Sequence, residues 1–149
     1  PENTDDQERL EGIFEALNSL SDRQKVVLPL HPRTEIAIKQ NQLTTQCKLI
    51  PPVSFYDMIE LVRNCSIVLT DSGGLQKEAY FAGKFCITLR DETEWVELVD
   101  EGACFIAGAE KDVILTLVND LLGKESDYSQ QLYGNGDASS IIVEELMAT

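Results

Sequence analysis

Leu10, Ile13, Phe14, Leu17 and Leu20 recur at spacings of three and four, which puts them on one face of a helix. The pattern predicts a helix that stops near Ser21-Asp22. The period then shortens. Val26-Val27-Leu28 reads as a buried strand, residues 34–40 as a short helix, and Lys48-Leu49-Ile50 as a strand stopped by Pro51-Pro52. Ser54 is placed to cap a helix that carries Phe55, Met58, Ile59 and Val62.

Residues 66–70, with Ile67-Val68-Leu69, form the clearest strand, apolar on both faces as a helix-covered parallel sheet requires. A loop over 71–74, a helix over 75–82 ended by Gly83, and a strand over 86–89 follow. The rhythm continues with a helix over 94–100, a strand Cys104-Phe105-Ile106 and a helix over 111–122 closed by Gly123. Strands alternating with helices predict an α/β fold, a Rossmann-like parallel sheet with helices on both faces. The tail differs. Tyr133-Gly134-Asn135-Gly136-Asp137 breaks one short helix and starts a last one over 138–147, for which no further strand remains.

Length and charge narrow the function. With 149 residues, the expectation is one core and one domain. Twelve Lys and Arg stand against 26 Asp and Glu, a net charge of -14, so a nucleic-acid backbone would meet a repulsive field. An anionic ligand must therefore be held locally, by backbone N–H groups at a helix start and a well-placed cation. No apolar run approaches the ~18 residues of a membrane span, and the opening Pro1-Glu2-Asn3-Thr4-Asp5-Asp6 is acidic where a secretion signal is basic. The expectation is a cytoplasmic protein with no membrane and no nucleic-acid partner. Cys47, Cys65, Cys86 and Cys104 include no CxxC pair and have a single His to share a metal with; they read as reduced core residues.

The strongest local signal is Leu69-Thr70-Asp71-Ser72-Gly73-Gly74-Leu75-Gln76-Lys77-Glu78, a buried strand feeding a Ser-Gly-Gly turn that opens into a helix. Glycines let a ligand approach the backbone, first-turn N–H groups lack helical partners, and the helix dipole favours a phosphate there. The segment is neither a Walker loop nor GxGxxG. Its plainer reading is a tight turn capped by Ser72. Glu78, one turn beyond, is placed to meet a polyol such as ribose, or else is a solvated helix-face charge. Lys77 reads as solvent-facing.

A second loop, Leu89-Arg90-Asp91-Glu92-Thr93-Glu94-Trp95, leaves the next strand on the same carboxyl-end side, where open α/β sheets bind ligands. Arg90 is the candidate cation; its alternative is an ion pair with Asp91 or another nearby acid. Trp95 reads as a packing residue, and Thr93-Glu94 as a cap for the following helix. His31, in Leu30-His31-Pro32-Arg33, also lies on the carboxyl-end rim, as a ligand contact or a loop brace.

Together these segments resemble the C-terminal, nucleotide-binding half of the non-hydrolysing UDP-N-acetylglucosamine 2-epimerases. Pro1-Glu2-Asn3 matches the tail of a His-Arg-x-Glu-Asn segment; Pro29-Leu30-His31-Pro32, the Thr70-to-Ala79 run, Leu89 to Glu94 and Tyr133-Gly134-Asn135-Gly136 match in order. The resemblance implies one half of a two-domain glycosyltransferase-B-type enzyme, residues 1–149 being the nucleotide-binding domain, with 124–149 packing on an N-terminal domain that this chain lacks. It implies that Ser72, Gly73 and Gly74 hold a diphosphate and Glu78 the ribose hydroxyls. It also implies that Arg90 lines the sugar and phosphate side, that the segment from Phe55 to Met58 borders uracil, and that His31 belongs to a second, activating nucleotide-sugar site.

The reaction implied is inversion at C2 through UDP elimination and re-addition, with no cofactor and no metal. Its acids and bases come mainly from the other domain, so this chain alone is expected not to turn over; the full-length enzyme is expected to be a homodimer. Thr93-Glu94-Trp95-Val96-Glu97 stands where many members read Thr-Glu-Arg-Pro-Glu. The Trp version looks like the subgroup acting on UDP-2,3-diacetamido-glucuronate. Ile141 stands where many members carry Arg. A transferase domain of the same architecture and a non-catalytic nucleotide-sugar sensor are the competing readings.

Overall fold

The computed structural model describes residues 3–126, 128 and 132–148. Its elements, in chain order, are α1 (Gln7–Ser21), β1 (Val27–Pro29), α2 (Pro32–Gln40), β2 (Lys48–Ile50), α3 (Phe55–Asn64) and β3 (Ile67–Thr70). After these come α4 (Gly73–Phe81), β4 (Phe85–Thr88), α5 (Val96–Asp100), β5 (Cys104–Ile106), α6 (Lys111–Leu121) and α7 (Ala138–Met147). The alternation read from the sequence is present throughout. The helix expected just before Tyr133 falls on a stretch that includes 127 and 129–131, outside the described residues.

Every ladder is parallel, but the hydrogen bonds divide the strands into a β1-β2 pair and a β3-β4-β5 sheet rather than one sheet. Shared side-chain burial joins the two. Val26 just before β1, Leu28 within it, and Ile67 and Leu69 of β3 pack on the same core as Ile87, Leu17 and Ile114. Alternation along a strand sends neighbours to opposite faces, and β4 shows the result. Ile87 is buried among residues of α1 and α6, whereas Cys86 is buried with Val62 of α3, Ala79 of α4 and Leu98 of α5. Helices therefore cover both faces. Each such apolar side chain contributes about 1.5–3 kcal/mol on burial.

The layers meet closely. A Cβ on Gly12 of α1 would stand 2.5 Å from the carbonyl oxygen of Ala109, which lets α1 lie against the turn before α6. Three of the cysteines, Cys47, Cys86 and Cys104, are buried; Cys65 is half-buried, and all four are free thiols as expected. The last helix stands apart. Ile141, Ile142, Val143, Leu146 and Met147 of α7 are all exposed, Met147 by 83%.

Parallel strands deliver their following loops to one edge. From β1 that edge carries Leu30-His31, from β2 the approach to Ser54, from β3 Asp71-Ser72, from β4 Leu89-Arg90. Leu89 N–H still donates to Thr70 O at 2.8 Å, so the loops after β3 and β4 leave the sheet side by side.

Candidate functional site

Thr70 ends β3 with its side chain buried, and its Oγ1 accepts the Ser72 N–H at 3.0 Å. That bond turns the chain sharply. Ser72 is the extended N-cap of α4 (φ -90, ψ 121), and its hydroxyl makes no cap hydrogen bond. Gly73 and Gly74, expected in the loop, are instead the first two residues of the helix. Their N–H groups are thus among those that a helix leaves without internal partners, at the positive end of its dipole. Gly74 opens on space, with Ser72 Oγ, at 3.9 Å, the nearest atom to a Cβ built there. Gly73 is crowded: a Cβ would run into the Glu94 carboxylate and stand 3.3 Å from Trp95 Nε1.

The crowding comes from the loop after β4. Arg90 Nη1 donates to Glu94 Oε2 at 2.9 Å, the ion pair that the sequence offered as the alternative to a ligand role. Its own backbone N–H and the Arg90 guanidinium hold the Glu94 carboxyl below the usual carboxylate range. Thr93 and Glu94 do not cap α5; that position falls to Trp95, without a side-chain hydrogen bond. Thr93 Oγ1 donates to Gln76 Oε1 at 2.6 Å and accepts the Trp95 N–H at 3.2 Å. Trp95 Nε1 donates to Gly73 O at 2.9 Å.

Lys77 departs from expectation. Rather than facing solvent, its Nζ lies 3.5 Å from the centre of the Trp95 ring and 4.2 Å from that of Tyr133, a cation–π arrangement. Tyr133 in turn donates its hydroxyl to Glu97 at 2.8 Å. The Tyr133-Gly134-Asn135-Gly136 segment is thereby fixed beside α4, where with Tyr80 and Phe81 it lines a cavity of about 470 Å³.

Ser72, Gly73, Gly74 and Arg90 are brought together; Glu78 is half-buried on the next turn of the same helix. Met58 packs with Leu75 on the core beneath α4, while Phe55 at the start of α3 is 62% exposed and meets Tyr56 edge-on at 5.7 Å. His31 caps α2, its Nδ1 accepting the Arg33 N–H at 3.2 Å. The bracing role offered for it is thus present. No group of three His, Cys, Asp or Glu side chains among the described residues is arranged to hold a metal.

Sequence reasoning missed a second tether of the Arg90 loop. Asn3 is buried, donates Nδ2 to Leu89 O at 2.7 Å and accepts from Arg9 Nε at 3.0 Å. Arg9 also pairs with Asp91 at 2.9 Å. The signal available was Asn3 closing a recurrent motif; its partner, 86 positions on, leaves no local trace. Gln76 was missed similarly, being fully buried within a helix that read as a ligand-facing turn.

Comparison with known proteins follows this geometry. The profile of the UDP-N-acetylglucosamine 2-epimerase family matches residues 1–147. The chain belongs to that family. It is 51% identical over 97% of its length to the UDP-2,3-diacetamido-2,3-dideoxy-D-glucuronate 2-epimerase of Pseudomonas aeruginosa, of which it spans 41%. To the UDP-N-acetylglucosamine 2-epimerase of Methanocaldococcus jannaschii it is 36% identical, spanning 41% of that protein. The M. jannaschii enzyme solved in complex with UDP-GlcNAc and UDP superimposes with a TM-score of 0.87 at 34% identity, over 99% of this chain and 43% of that one. The family's fold is thus the α/β, glycosyltransferase-B-type half that the sequence implied, and the chain spans about two fifths of the relatives it matches.

Proposed function

We propose that residues 1–149 are the UDP-binding C-terminal half of a UDP-amino-sugar 2-epimerase, completed by an N-terminal half outside this chain. The observation that carries the reading is the start of α4. Gly73 and Gly74 present unpartnered-type backbone donors beside the guanidinium of Arg90, in a family whose M. jannaschii member is solved with UDP-GlcNAc and UDP. Ser72, whose hydroxyl is not engaged by the cap, and the two glycine amides would hold the diphosphate. Glu78 would take the ribose hydroxyls, Arg90 the phosphate and sugar side, and Phe55 and Met58 the uracil border.

Fixed backbone dipoles stabilise a departing diphosphate without reorganising, which assists elimination of UDP and its return after C2 has been reprotonated. The proton-transfer groups would come from the N-terminal half, so this chain alone binds UDP weakly at best and does not turn over. No cofactor enters this scheme. The exposed apolar side chains of α7, Ile141, Leu146 and Met147, would be covered by that half within residues 124–149. His31 would serve a second nucleotide-sugar contact in the complete enzyme, a homodimer working in the cytoplasm; none of the described helices is long and apolar enough to cross a membrane.

The preferred sugar is the one point with two readings. UDP-N-acetylglucosamine follows from the family; UDP-2,3-diacetamido-glucuronate is favoured by the 51% identity to the P. aeruginosa protein and by Trp95 in place of Arg. Incubating the complete two-domain protein with each sugar in heavy water and following deuterium at C2 separates them. Titration of this chain with UDP tests the site. Ser72→Ala and Glu78→Ala should each lose about 1.5–3 kcal/mol, the range for a hydrogen bond to a charged group; unchanged affinity in both would refute the assignment.

A further inference from the structure

Trp95 is held by three contacts. Its backbone N–H donates to Thr93 Oγ1 at 3.2 Å, and Thr93 is itself tied to the fully buried Gln76 at 2.6 Å. Lys77 Nζ covers one ring face at 3.5 Å. The remaining polar atom, indole Nε1, is aimed at Gly73 O, 2.9 Å away. An indole anchored this firmly holds its hydrogen-bond partner in place rather than following it.

The identity of that partner matters. The carbonyl of Gly73 and the N–H of Gly74 belong to one planar peptide unit. Fixing the oxygen on one side fixes the direction of the N–H on the other, and withdrawing charge from the oxygen makes that N–H a better donor. Helical geometry already sets this peptide; with glycine on both sides of the bond the first turn is the part of the helix with most backbone freedom to lose, and the indole adds a second hold on it. Gly74 N–H belongs to the first helical turn, and a Cβ built on Gly74 meets only Ser72 Oγ, 3.9 Å away.

We propose that Trp95 is a positioning residue that orients the Gly73–Gly74 peptide toward the diphosphate of the nucleotide, a role that rests on the UDP-binding reading above. The indole does not touch the ligand. It reinforces the donor direction that the helix start sets at the glycine pair, which lowers the ordering cost of binding.

The test uses the full chain and UDP. Trp95→Phe keeps an aromatic ring beneath Lys77 and removes the N–H donor together with one ring of the indole; it should weaken UDP by roughly threefold to tenfold, the equivalent of one neutral hydrogen bond, beside a modest fall in melting temperature from the lost packing. Lys77→Met, which leaves the indole bond intact, should stay within about twofold by the same reckoning. Because Trp95 is the single Trp, one indole N–H resonance reports the bond directly, and in the wild type it should shift on titration with UDP. Wild-type affinity retained in Trp95→Phe would overturn the proposal and leave the nucleotide site standing. Absence of any UDP binding by the wild type would overturn both. If Trp95→Phe fails to fold, the wild-type resonance decides: an indole N–H unmoved at saturating UDP overturns the proposal.

Discussion

Glu94 sets its carboxylate between Arg90 and Gly73: Oε2 accepts from Arg90 at 2.9 Å, and Oε1 lies where a side chain on Gly73 would begin. The protein's own anion thus occupies the ground proposed for the diphosphate, paired with the same cation. A nucleotide must displace it. Glu94→Gln removes the competing charge and frees Arg90 from its ion pair with Glu94, so UDP should bind several-fold more tightly by calorimetry. Weaker binding would mean that Glu94 organises the site instead of filling it.

The two glycines of α4 should respond oppositely to alanine. At position 73 the new methyl meets Glu94 and Trp95 Nε1, 3.3 Å away; Gly73→Ala should lower both the melting temperature and the affinity for UDP. At position 74 it enters open space, and Gly74→Ala should stabilise the chain by up to about 1 kcal/mol through helix propensity. Thermal melts of the pair distinguish a close approach from a loose turn.

Gly12 offers a similar contest within the core. Helix propensity alone favours Ala there by about 1 kcal/mol. The Ala109 carbonyl 2.5 Å from the new Cβ is backbone and cannot swing away, and overpacking of this kind costs about 1–3 kcal/mol. Gly12→Ala should therefore destabilise, seen as a lower urea midpoint with unchanged slope.

Alkali should find the packing around Tyr128. Burial pushes its hydroxyl up to about 12 from the ordinary 10.0, and the ring stacks on Tyr80 at 5.0 Å. An unfolded chain releases that proton near pH 10 while the folded one retains it, so unfolding releases a proton between the two values. The contribution is complete below pH 10 and is lost as pH rises toward 12. Stability should be flat on this account up to pH 10 and fall beyond it, and Tyr128→Phe should flatten the fall.

The helices and strands were legible because their apolar periods are local: α1, β2, β5 and α7 lie where the spacing put them, and Ser54 caps α3 by accepting the Asp57 N–H at 3.3 Å. The start of α4 was misplaced by two residues because Gly disfavours helix interiors, a penalty outweighed at a first turn where Glu94 and Trp95 leave no room for a side chain. The α5 boundary moved for a related reason, since Thr93 and Glu94 are bound to Gln76 and Arg90. Lys77 was misread because its partner Tyr133 lies on a distant segment. Contacts between remote residues, such as Asn3 with Leu89, have no period to betray them.

The central claim is that UDP seats its diphosphate on the Gly73–Gly74 helix start. A crystal of the chain grown with UDP tests it most directly. The account predicts phosphate oxygens within hydrogen-bonding distance of the Ser72 hydroxyl and the glycine amides, Arg90 turned to them and the Glu94 carboxylate displaced. Nucleotide bound elsewhere, with Glu94 still against Gly73, would contradict it.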